Sequence, residues 1–326
     1  MKDEISIGNI KIGKKRDPFI IAEMSGNHNG SIERAYKIID AAVDSGANAI
    51  KLQTYTPDKI TINKKGGLFD INDKNSLWNG RNLFDLYNSA YTPWDWHEEL
   101  YKYARNKGII IFSSVFDESG VEFLEKLGVE VFKIASFENN HYPLLKKIAQ
   151  TKKPVIMSTG LSNISNLEKS VNTLRENGCK DLILLKCTST YPSSPKNSNL
   201  KTIPVMKEIF DCQVGLSDHT LGIGVPLAAI SLGATVIEKH FTLNRSDGGV
   251  DSAFSLEPNE LKALVEESKR AHESLGSVFI GVSEEEEKSL RFKRSIYVTK
   301  DIKEGEVLTK KNISIIRPGD GLDTHY

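Results

Sequence analysis

The sequence has no excess of either charge. Its 326 residues include 43 lysines and arginines and 43 aspartates and glutamates, so the formal net charge at neutral pH is zero. Proteins that bind nucleic acid or anionic membranes electrostatically usually carry a basic excess. The balance therefore argues against both kinds of partner, although lysines and arginines spread along the chain leave room for local basic patches.

Cysteines are few, and long apolar runs are missing. Cys179, Cys187 and Cys212 are odd in number and lack Cys-x-x-Cys spacing, which excludes a disulfide framework and a zinc knuckle. The opening segment MKDEISIGNIKIG has no apolar stretch of the signal-peptide kind. No run of about 18 apolar residues is present to form a membrane-spanning helix. We therefore expect reduced thiols in a cytoplasmic protein.

Eight short apolar runs recur along the chain, each followed by a helical pattern. They are FIIAEMS (19–25), AIKLQTY (49–55), IIIFSSVF (109–116), VFKIAS (131–136), VIMSTG (155–160), LILLKCT (182–188), QVGLSDHT (213–220) and TVIEKHFT (235–242). Apolar strands that alternate with helices are typical of a parallel sheet covered by helices. Eight such units predict an α/β fold, a closed (β/α)8 TIM barrel rather than an open sheet.

Two segments depart from this repeat. Between Thr56 and Thr92 a polar excursion holds Trp78, Phe84 and Tyr87. Connections of this length are typical of lids or disordered insertions, and the aromatic residues favour a lid that packs on the protein. After the barrel, the acidic run SEEEEK predicts a linker or an exposed helix start. The predicted organisation is a barrel at 1–276, a linker at 277–292 and an incomplete β-rich domain at 293–326.

Polar side chains follow every one of the eight strands. TIM-barrel active sites lie at the C-terminal ends of the strands. Because inward-facing residues are two apart, Lys51 can share the inner face with Gln53, Ser217 with His219, and Glu238 with His240. The candidate residues at this rim are Glu23, Lys51, Gln53, Ser114, Lys133, Ser136, Glu138, Ser158, Ser189, Tyr191, Ser217, His219 and His240.

Two chemistries are suggested by these residue types. His219 and His240 end adjacent strands and can form a two-histidine metal site with open positions for substrate; the alternative is ordinary buried or capping histidines. Lys51 and Lys133, with the nearby hydroxyl groups, can hold a phosphate or a carboxylate; the alternative is that they are solvated strand ends.

The segments FIIAEMSGNHNGS, AIKLQTY, FKIAS-FENN, STG, GLSDHT and EKHFT occur in this order. Together they resemble the sialic acid synthase family, whose enzymes condense phosphoenolpyruvate with an amino sugar, and the resemblance covers essentially the whole chain. KRSIYVTKDIKEGEVLT and IIRPGDG resemble the antifreeze-like (SAF) domain of that family. The resemblance implies a domain-swapped homodimer in which Arg317 reaches the sugar in the barrel of the other subunit.

The same resemblance implies a role for individual residues. His219 and His240 are similar to the family's ligands for a divalent metal, Mn²⁺ or Mg²⁺, with Mn²⁺ favoured. Glu138 resembles the carboxylate that handles a proton during attack by water. Positions that resemble the phosphoenolpyruvate site are Lys51, Ser114, Lys133, Ser136, Ser158 and Ser217. Positions that resemble sugar contacts are Glu23, Gln53, Tyr191 and Asp251, with Ser189 where sialic acid synthases have asparagine.

Two loops, LWNGRNLFDLYNSAYTPWDWH and SDGGVDSAFSLEP, are most similar to the pseudaminic acid branch of this family. This implies a metal-assisted transferase that joins phosphoenolpyruvate, water and 2,4-diacetamido-2,4,6-trideoxy-β-L-altropyranose with C–O cleavage. The products are pseudaminic acid, used in surface glycans or on flagellin, and phosphate. The alternatives are a legionaminic or N-acetylneuraminic acid synthase, a metal-dependent aldolase or isomerase on the same scaffold, and a noncatalytic carbohydrate-binding protein.

Overall fold

The computed structural model describes residues 3–326. The chain forms two compact units, which divide between Leu275 and Gly276. The first unit opens with an antiparallel hairpin, β1 (Glu4–Ile7) and β2 (Ile10–Gly13). Eight parallel strands then close into a barrel, in which the last strand pairs with the first.

The barrel strands coincide with the eight apolar runs of the sequence. They are β3 (Phe19–Glu23), β4 (Ala49–Thr54), β5 (Ile110–Val115), β6 (Phe132–Ile134), β7 (Val155–Ser158), β8 (Leu182–Cys187), β9 (Gln213–Asp218) and β10 (Val236–His240). The helices of this unit are α1 (Ile32–Asp44), α2 (Pro57–Ile60), α3 (Leu83–Ala90), α4 (Trp94–Asn106), α5 (Glu118–Lys126), α6 (Tyr142–Gln150), α7 (Ile164–Glu176), α8 (Thr202–Phe210), α9 (Gly224–Ser231) and α10 (Pro258–Ser274). The prediction of a (β/α)8 barrel is confirmed.

The outward faces of the strands pack against the helices. The first helix illustrates how the sequence specifies this layer. Ser31 precedes it, and the Ser31 hydroxyl accepts a hydrogen bond from the Arg34 amide at 3.2 Å, which caps the helix start. Ala35, Ile38 and Ala42 then fall on one buried face, at the three- and four-residue spacing of an amphipathic helix.

The inward faces change character along the barrel axis. Near the strand starts the interior is apolar, and the hairpin side chains Ile5, Ile7 and Ile12 are buried against Phe19 and Ile21 and the other inner residues of this layer. Near the strand ends the inner positions become polar and charged while remaining buried. The hairpin therefore fills the N-terminal end of the barrel, and the polar rim lies at the opposite end.

The excursion between Thr56 and Thr92 contains more regular structure than the sequence suggested. It includes α2, a 3₁₀ turn at Gly67–Phe69 and the helix α3. The buried Asn82 side chain organises it, because its amide donates to the Lys64 carbonyl at 2.8 Å and to that of Phe69 at 3.1 Å, while its oxygen accepts from the Phe84 amide. The long connection is thus an ordered segment with its own helix.

The second unit, Gly276–Tyr326, contains a short helix α11 (Glu284–Glu287), a 3₁₀ turn at Leu290–Phe292, and two strands, β11 (Ser295–Val298) and β12 (Ile313–Ile316). The two strands pair antiparallel. The acidic run thus begins a helix whose cap is Ser283. The resemblance of this unit to an antifreeze-like domain stays a prediction. Within residues 3–326, no helix is both long and apolar enough to cross a membrane.

Candidate active site

The inner positions at the strand ends bring most of the expected residues into one buried polar cluster. Strand alternation places Glu23, Lys51 and Gln53 on the inside, as expected from their two-residue spacing. The cluster at the barrel mouth is linked by direct hydrogen bonds, ion pairs or ring contacts. Its members are Glu23, Ser25, Lys51, Gln53, Ser114, Lys133, Ser158, Cys187, Ser189, Tyr191, Ser217, His219, Glu238, His240 and Asp251.

Lys51 lies between two carboxylates. Its Nζ is 3.0 Å from Glu23 Oε2 and 3.1 Å from Glu238 Oε2, and it donates to the Ser114 hydroxyl at 3.1 Å. Burial alone would lower the pKa of this lysine, but the charges of Glu23 and Glu238 raise it above its ordinary value. Lys51 therefore remains an ammonium group at neutral pH.

Lys133 lies on the other side of Glu238. Its Nζ donates to the Ser158 hydroxyl at 2.7 Å and is 3.8 Å from Glu238 Oε1. Burial lowers the pKa of Lys133 to about 8, against the attraction of Glu238. Burial opposes ionisation of Glu238 as well, but Lys133 and Lys51 together lower its pKa to about 2. Glu238 is therefore the fixed negative charge between the two lysines.

Glu238 is a residue that the candidate set lacked. The two-residue spacing to His240 placed it on the inner face, but not in contact with both lysines. It also accepts a hydrogen bond from Ser217 at 3.0 Å. The signal in the sequence was the pattern Glu-x-His at the end of the eighth strand.

Glu23 is the second carboxylate of the cluster. Gln53 Nε2 donates to Glu23 Oε1 at 2.9 Å and to the Ser25 hydroxyl at 3.0 Å. Burial and the nearby charge of Glu238 raise the pKa of Glu23 to about 7, although Lys51 opposes the rise. Near neutral pH, Glu23 can therefore gain or lose a proton while Glu238 stays ionised.

His219 and His240 lie side by side, with ring centroids 5.4 Å apart. His219 Nδ1 donates to the Thr188 carbonyl at 3.0 Å. Burial alone would lower the pKa of His219, but its hydrogen bond with Cys187 raises it above the ordinary value. His240 Nδ1 is buried and has no hydrogen-bond partner in the part of the chain that the structure describes. Burial and the neighbouring His219 hold the pKa of His240 well below its ordinary value, so this imidazole is neutral.

Ser136 and Ser189 meet over a glycine. The Gly160 amide donates to the Ser136 hydroxyl at 3.1 Å, and a Cβ at Gly160 would lie 2.3 Å from Ser189 Oγ and 2.7 Å from Ser136 Oγ. A side chain at this position would therefore displace both hydroxyl groups. The buried Cys187, which the candidate set also lacked, lies with its Sγ 3.7 Å from Ser189 Oγ.

Glu138 lies beyond β6, in the 3₁₀ turn Ser136–Glu138. The residue is half-buried, but its Oε2 is buried and has no hydrogen-bond partner among the described residues. Burial raises the pKa of this carboxyl group to about 7, against the attraction of Lys133. A carboxyl group in this condition can accept or release a proton near neutral pH.

Asp251 and Tyr191 border the histidine pair. Asp251 accepts a hydrogen bond from the Ser25 hydroxyl, and its Oδ2 is 3.9 Å from His240 Nδ1. The Tyr191 ring lies 4.4 Å from the His219 ring between centroids. On another side it contacts Trp78 of the ordered excursion, with centroids 5.6 Å apart. The excursion thus packs on the cluster, as expected for a lid.

Arg317 is the one candidate residue that lies in the second unit. Its side chain is exposed, and its Nε donates to the Phe292 carbonyl at 2.6 Å. Its expected contact with a sugar in another subunit stays a prediction.

The cluster combines groups suited to binding an anion and moving protons. Two buried ammonium groups and several hydroxyls can exchange their present carboxylate partners for a phosphate or a carboxylate. Glu23 and Glu138 titrate near neutral pH. Within residues 3–326, there is no group of three or more His, Cys, Asp or Glu side chains that could hold a metal ion. Any ion held by the two imidazoles would take its remaining ligands from substrate or water.

Comparison with known proteins identifies the group to which these features belong. The sequence profile of the NeuB family matches residues 38–279. A pseudaminic acid synthase from Campylobacter jejuni is 46% identical over 322 residues, which are 99% of this chain and 93% of the relative. An N,N'-diacetyllegionaminic acid synthase from the same strain is 38% identical over 306 residues, covering 93% of this chain and 91% of the relative.

A solved structure supports the same grouping. The N-acetylneuraminic acid synthetase of Leptospira borgpetersenii superposes with a TM-score of 0.78 and 34% sequence identity. The superposition covers 88% of this chain and 94% of that chain.

Proposed function

The chain belongs to the NeuB family, and from this premise we propose that it is a pseudaminic acid synthase. The reaction joins phosphoenolpyruvate, water and 2,4-diacetamido-2,4,6-trideoxy-β-L-altropyranose into pseudaminic acid and phosphate. The observation that carries the proposal is the pair of buried ammonium groups, Lys51 and Lys133, beside the two imidazoles of His219 and His240 at one barrel mouth. The ammonium groups can bind the phosphate and carboxylate of an enol phosphate. The two imidazoles beside them can hold a metal that would activate an aldehyde.

In the proposed reaction, Lys51 and Lys133 bind the phosphate and carboxylate of phosphoenolpyruvate, with Ser114, Ser136, Ser158 and Ser217 as hydrogen-bond donors. Both lysines then exchange part of their contact with Glu238 for contact with the ligand. Fixing the enol phosphate against the aldehyde supplies a large part of the rate, because orientation removes the entropy of encounter.

The methylene carbon of phosphoenolpyruvate attacks the aldehyde carbon of the open-chain sugar, whose C=O π bond opens to an alkoxide that takes up a proton to become a hydroxyl group. The new C–C bond leaves positive charge at C2 of the former enol phosphate, and water adds there. Glu138 takes the proton of this water, for which its raised pKa suits it. Collapse of the resulting intermediate breaks the C2–O bond and releases phosphate, so the oxygen of water stays in the sugar acid.

The imidazoles of His219 and His240 fit a divalent metal. His240 is neutral, and its buried Nδ1, without a hydrogen-bond partner among the described residues, offers an unused lone pair. His219, whose pKa is raised, would release its proton when a metal binds. Such a metal, Mn²⁺ or Mg²⁺, would act as a Lewis acid toward the sugar aldehyde. Glu23, Gln53, Ser189, Tyr191 and Asp251 would contact the sugar around it.

The choice of sugar is favoured by the higher identity to the pseudaminic acid synthase than to the legionaminic acid synthase of the same organism. The dimer, the antifreeze-like domain and the contact of Arg317 with a sugar in the partner subunit remain part of this proposal. A concentration-independent monomer mass would contradict the dimer.

The test is phosphate release from phosphoenolpyruvate with each of three sugars, the altro-configured diacetamido sugar, the legionaminic acid precursor and N-acetylmannosamine, with and without Mn²⁺. We expect the first sugar to give the highest kcat/KM, and chelation to remove activity. Faster turnover of either other sugar would reassign the substrate. In water labelled with heavy oxygen, label in phosphate instead of the sugar acid would refute the C–O cleavage.

A further inference from the structure

Trp78 is the outermost aromatic residue of a row that begins at the histidine pair. The Trp78 ring lies 5.6 Å from Tyr191, whose ring lies 4.4 Å from His219. Such spacings are those of packed aromatic rings. Trp78 therefore lies one ring further from His219 than Tyr191 does, within reach of the far end of a sugar whose aldehyde binds at the imidazoles.

The polar atom of Trp78 is already engaged. The indole Nε1 donates to the Val250 carbonyl at 2.9 Å, and this nitrogen is the only polar atom of the side chain. The remaining ring surface is therefore purely apolar. The same contact ties the excursion to the loop that carries Asp251, the next residue along the chain.

Val250 continues this apolar surface. A Cβ at Gly26 would lie 2.5 Å from Val250 Cγ2, so the loop approaches the backbone after β3 as closely as a glycine allows. Trp78 and Val250 also border a cavity of about 520 Å³, together with Leu77 and Arg81.

Trp78 lies in a turn of the excursion, residues 71–81, whose two ends are joined by backbone hydrogen bonds. The Ile71 amide donates to the Arg81 carbonyl at 2.9 Å, and the Gly80 amide donates to the Ile71 carbonyl at 2.7 Å. Arg81 in turn donates to the Ser89 hydroxyl at 2.8 Å, on α3. The backbone around Trp78 is therefore held by these bonds in addition to the bond from the indole to Val250.

We propose that Trp78, together with Val250, determines sugar specificity by packing against the end of the amino sugar that is remote from its aldehyde. This inference rests on the proposed function. A deoxy carbon and an acetamido methyl group gain from contact with an apolar ring. A hydroxyl group at the same place would lose its water without gaining a hydrogen-bond partner, which disfavours ordinary hydroxylated hexosamines.

The experiment compares the wild type with Trp78→Ala, Trp78→Phe and the control Leu68→Ala, whose side chain is 94% exposed in the same excursion. Each protein is assayed by phosphate release with the diacetamido trideoxy sugar and with N-acetylmannosamine. For Trp78→Ala we expect kcat/KM for the first sugar to fall about 10- to 100-fold, mainly through KM. The preference over N-acetylmannosamine should shrink by a similar factor, and KM for phosphoenolpyruvate should stay unchanged.

Trp78→Phe keeps an apolar ring and should retain most of the preference, and Leu68→Ala should match the wild type. An unchanged ratio between the sugars in Trp78→Ala would overturn the inference. An equal rise in KM for phosphoenolpyruvate would also overturn it, because the effect would then be general disorder of the excursion. A wild type that releases no phosphate with any amino sugar would instead refute the proposed function.

Discussion

Two buried ion-pair groups lie on opposite faces of the barrel strand β10. On the outer face, Lys239 Nζ is 2.9 Å from Asp218 Oδ2 and also donates to the Thr220 carbonyl, while Asp218 accepts from the Thr220 amide and hydroxyl. On the inner face, Glu238 is shared between Lys51 and Lys133. In the outer pair, Lys239 and Asp218 bond to each other and to Thr220. In the inner group, two lysines share Glu238, the carboxylate that stays ionised.

The contrast separates two uses of buried charge. A closed pair whose atoms are all hydrogen-bonded holds a structure in one arrangement. A shared carboxylate between two lysines leaves both ammonium groups ready to accept another anion, and Glu23 beside it titrates near neutral pH. Adjacent residues of one strand, Glu238 and Lys239, therefore belong to a group with a proposed binding role and to a pair with a stabilising role. Three changes test this difference.

The largest expected effect is that of Lys133→Met. It removes one of the two cations proposed to hold phosphoenolpyruvate, and we expect kcat/KM to fall about 10⁴-fold, equivalent to about 5.5 kcal/mol. The free energy of unfolding should stay the same or rise, because burial disfavours this ammonium group. Steady-state kinetics and urea unfolding measure the two quantities.

Lys186→Met is the matched control for Lys133→Met. Lys186 is the penultimate residue of the barrel strand β8, and its Nζ donates to the Cys187 carbonyl and the Thr188 hydroxyl. Turnover should stay near the wild-type value. Equal losses of activity in both variants would show that the inner position of Lys133 has no special role.

The second effect concerns pH. Because the pKa of Glu138 is raised to about 7 and the base must be ionised, kcat should fall as pH drops below 7 and level off above it. Glu138→Gln should lower kcat about 10³-fold and abolish this acid limb. Glu23→Gln, which removes the other carboxyl group with a pKa near 7, should retain the limb. If the acid limb disappeared in Glu23→Gln and persisted in Glu138→Gln, the role of base would pass from Glu138 to Glu23.

The smallest expected effect belongs to the outer pair. Lys239→Met leaves Asp218 buried without its cation and should lower the free energy of unfolding by about 3 kcal/mol. The KM for phosphoenolpyruvate, measured where the variant is folded, should stay close to that of the wild type. The double variant Lys239→Met with Asp218→Asn should recover part of the stability. A large change in KM without loss of stability would erase the distinction between the two faces.

Much of this molecule follows from local pattern. The eight apolar runs predicted the barrel, because each run is largely buried on both faces and is followed by a helix. The two-residue alternation placed Lys51 and Gln53 inside. It could not reveal that Glu238 reaches both lysines, because that contact depends on closing β10 against β3 and on the radius of the barrel.

The excursion marks the limit of such inference. Its aromatic residues predicted a lid that packs on the protein, and Trp78 does pack on Tyr191. The helix α3 was not predicted, because only Leu86 and Ala90 of it are buried and its other residues are polar or half-exposed. The bond from Trp78 to Val250 joins residues 172 positions apart, which no local pattern encodes.

The hairpin at the start of the chain covers the N-terminal end of the barrel, where apolar side chains of the strands already fill the interior. Ile5, Ile7 and Ile12 cover this end, so substrates and products both pass through the opposite, polar end of the barrel. In the proposed reaction, the nine-carbon product and phosphate therefore leave through the same opening that admits the reactants. Product release past the excursion that carries Trp78 can therefore compete with bond formation as the slow step of turnover.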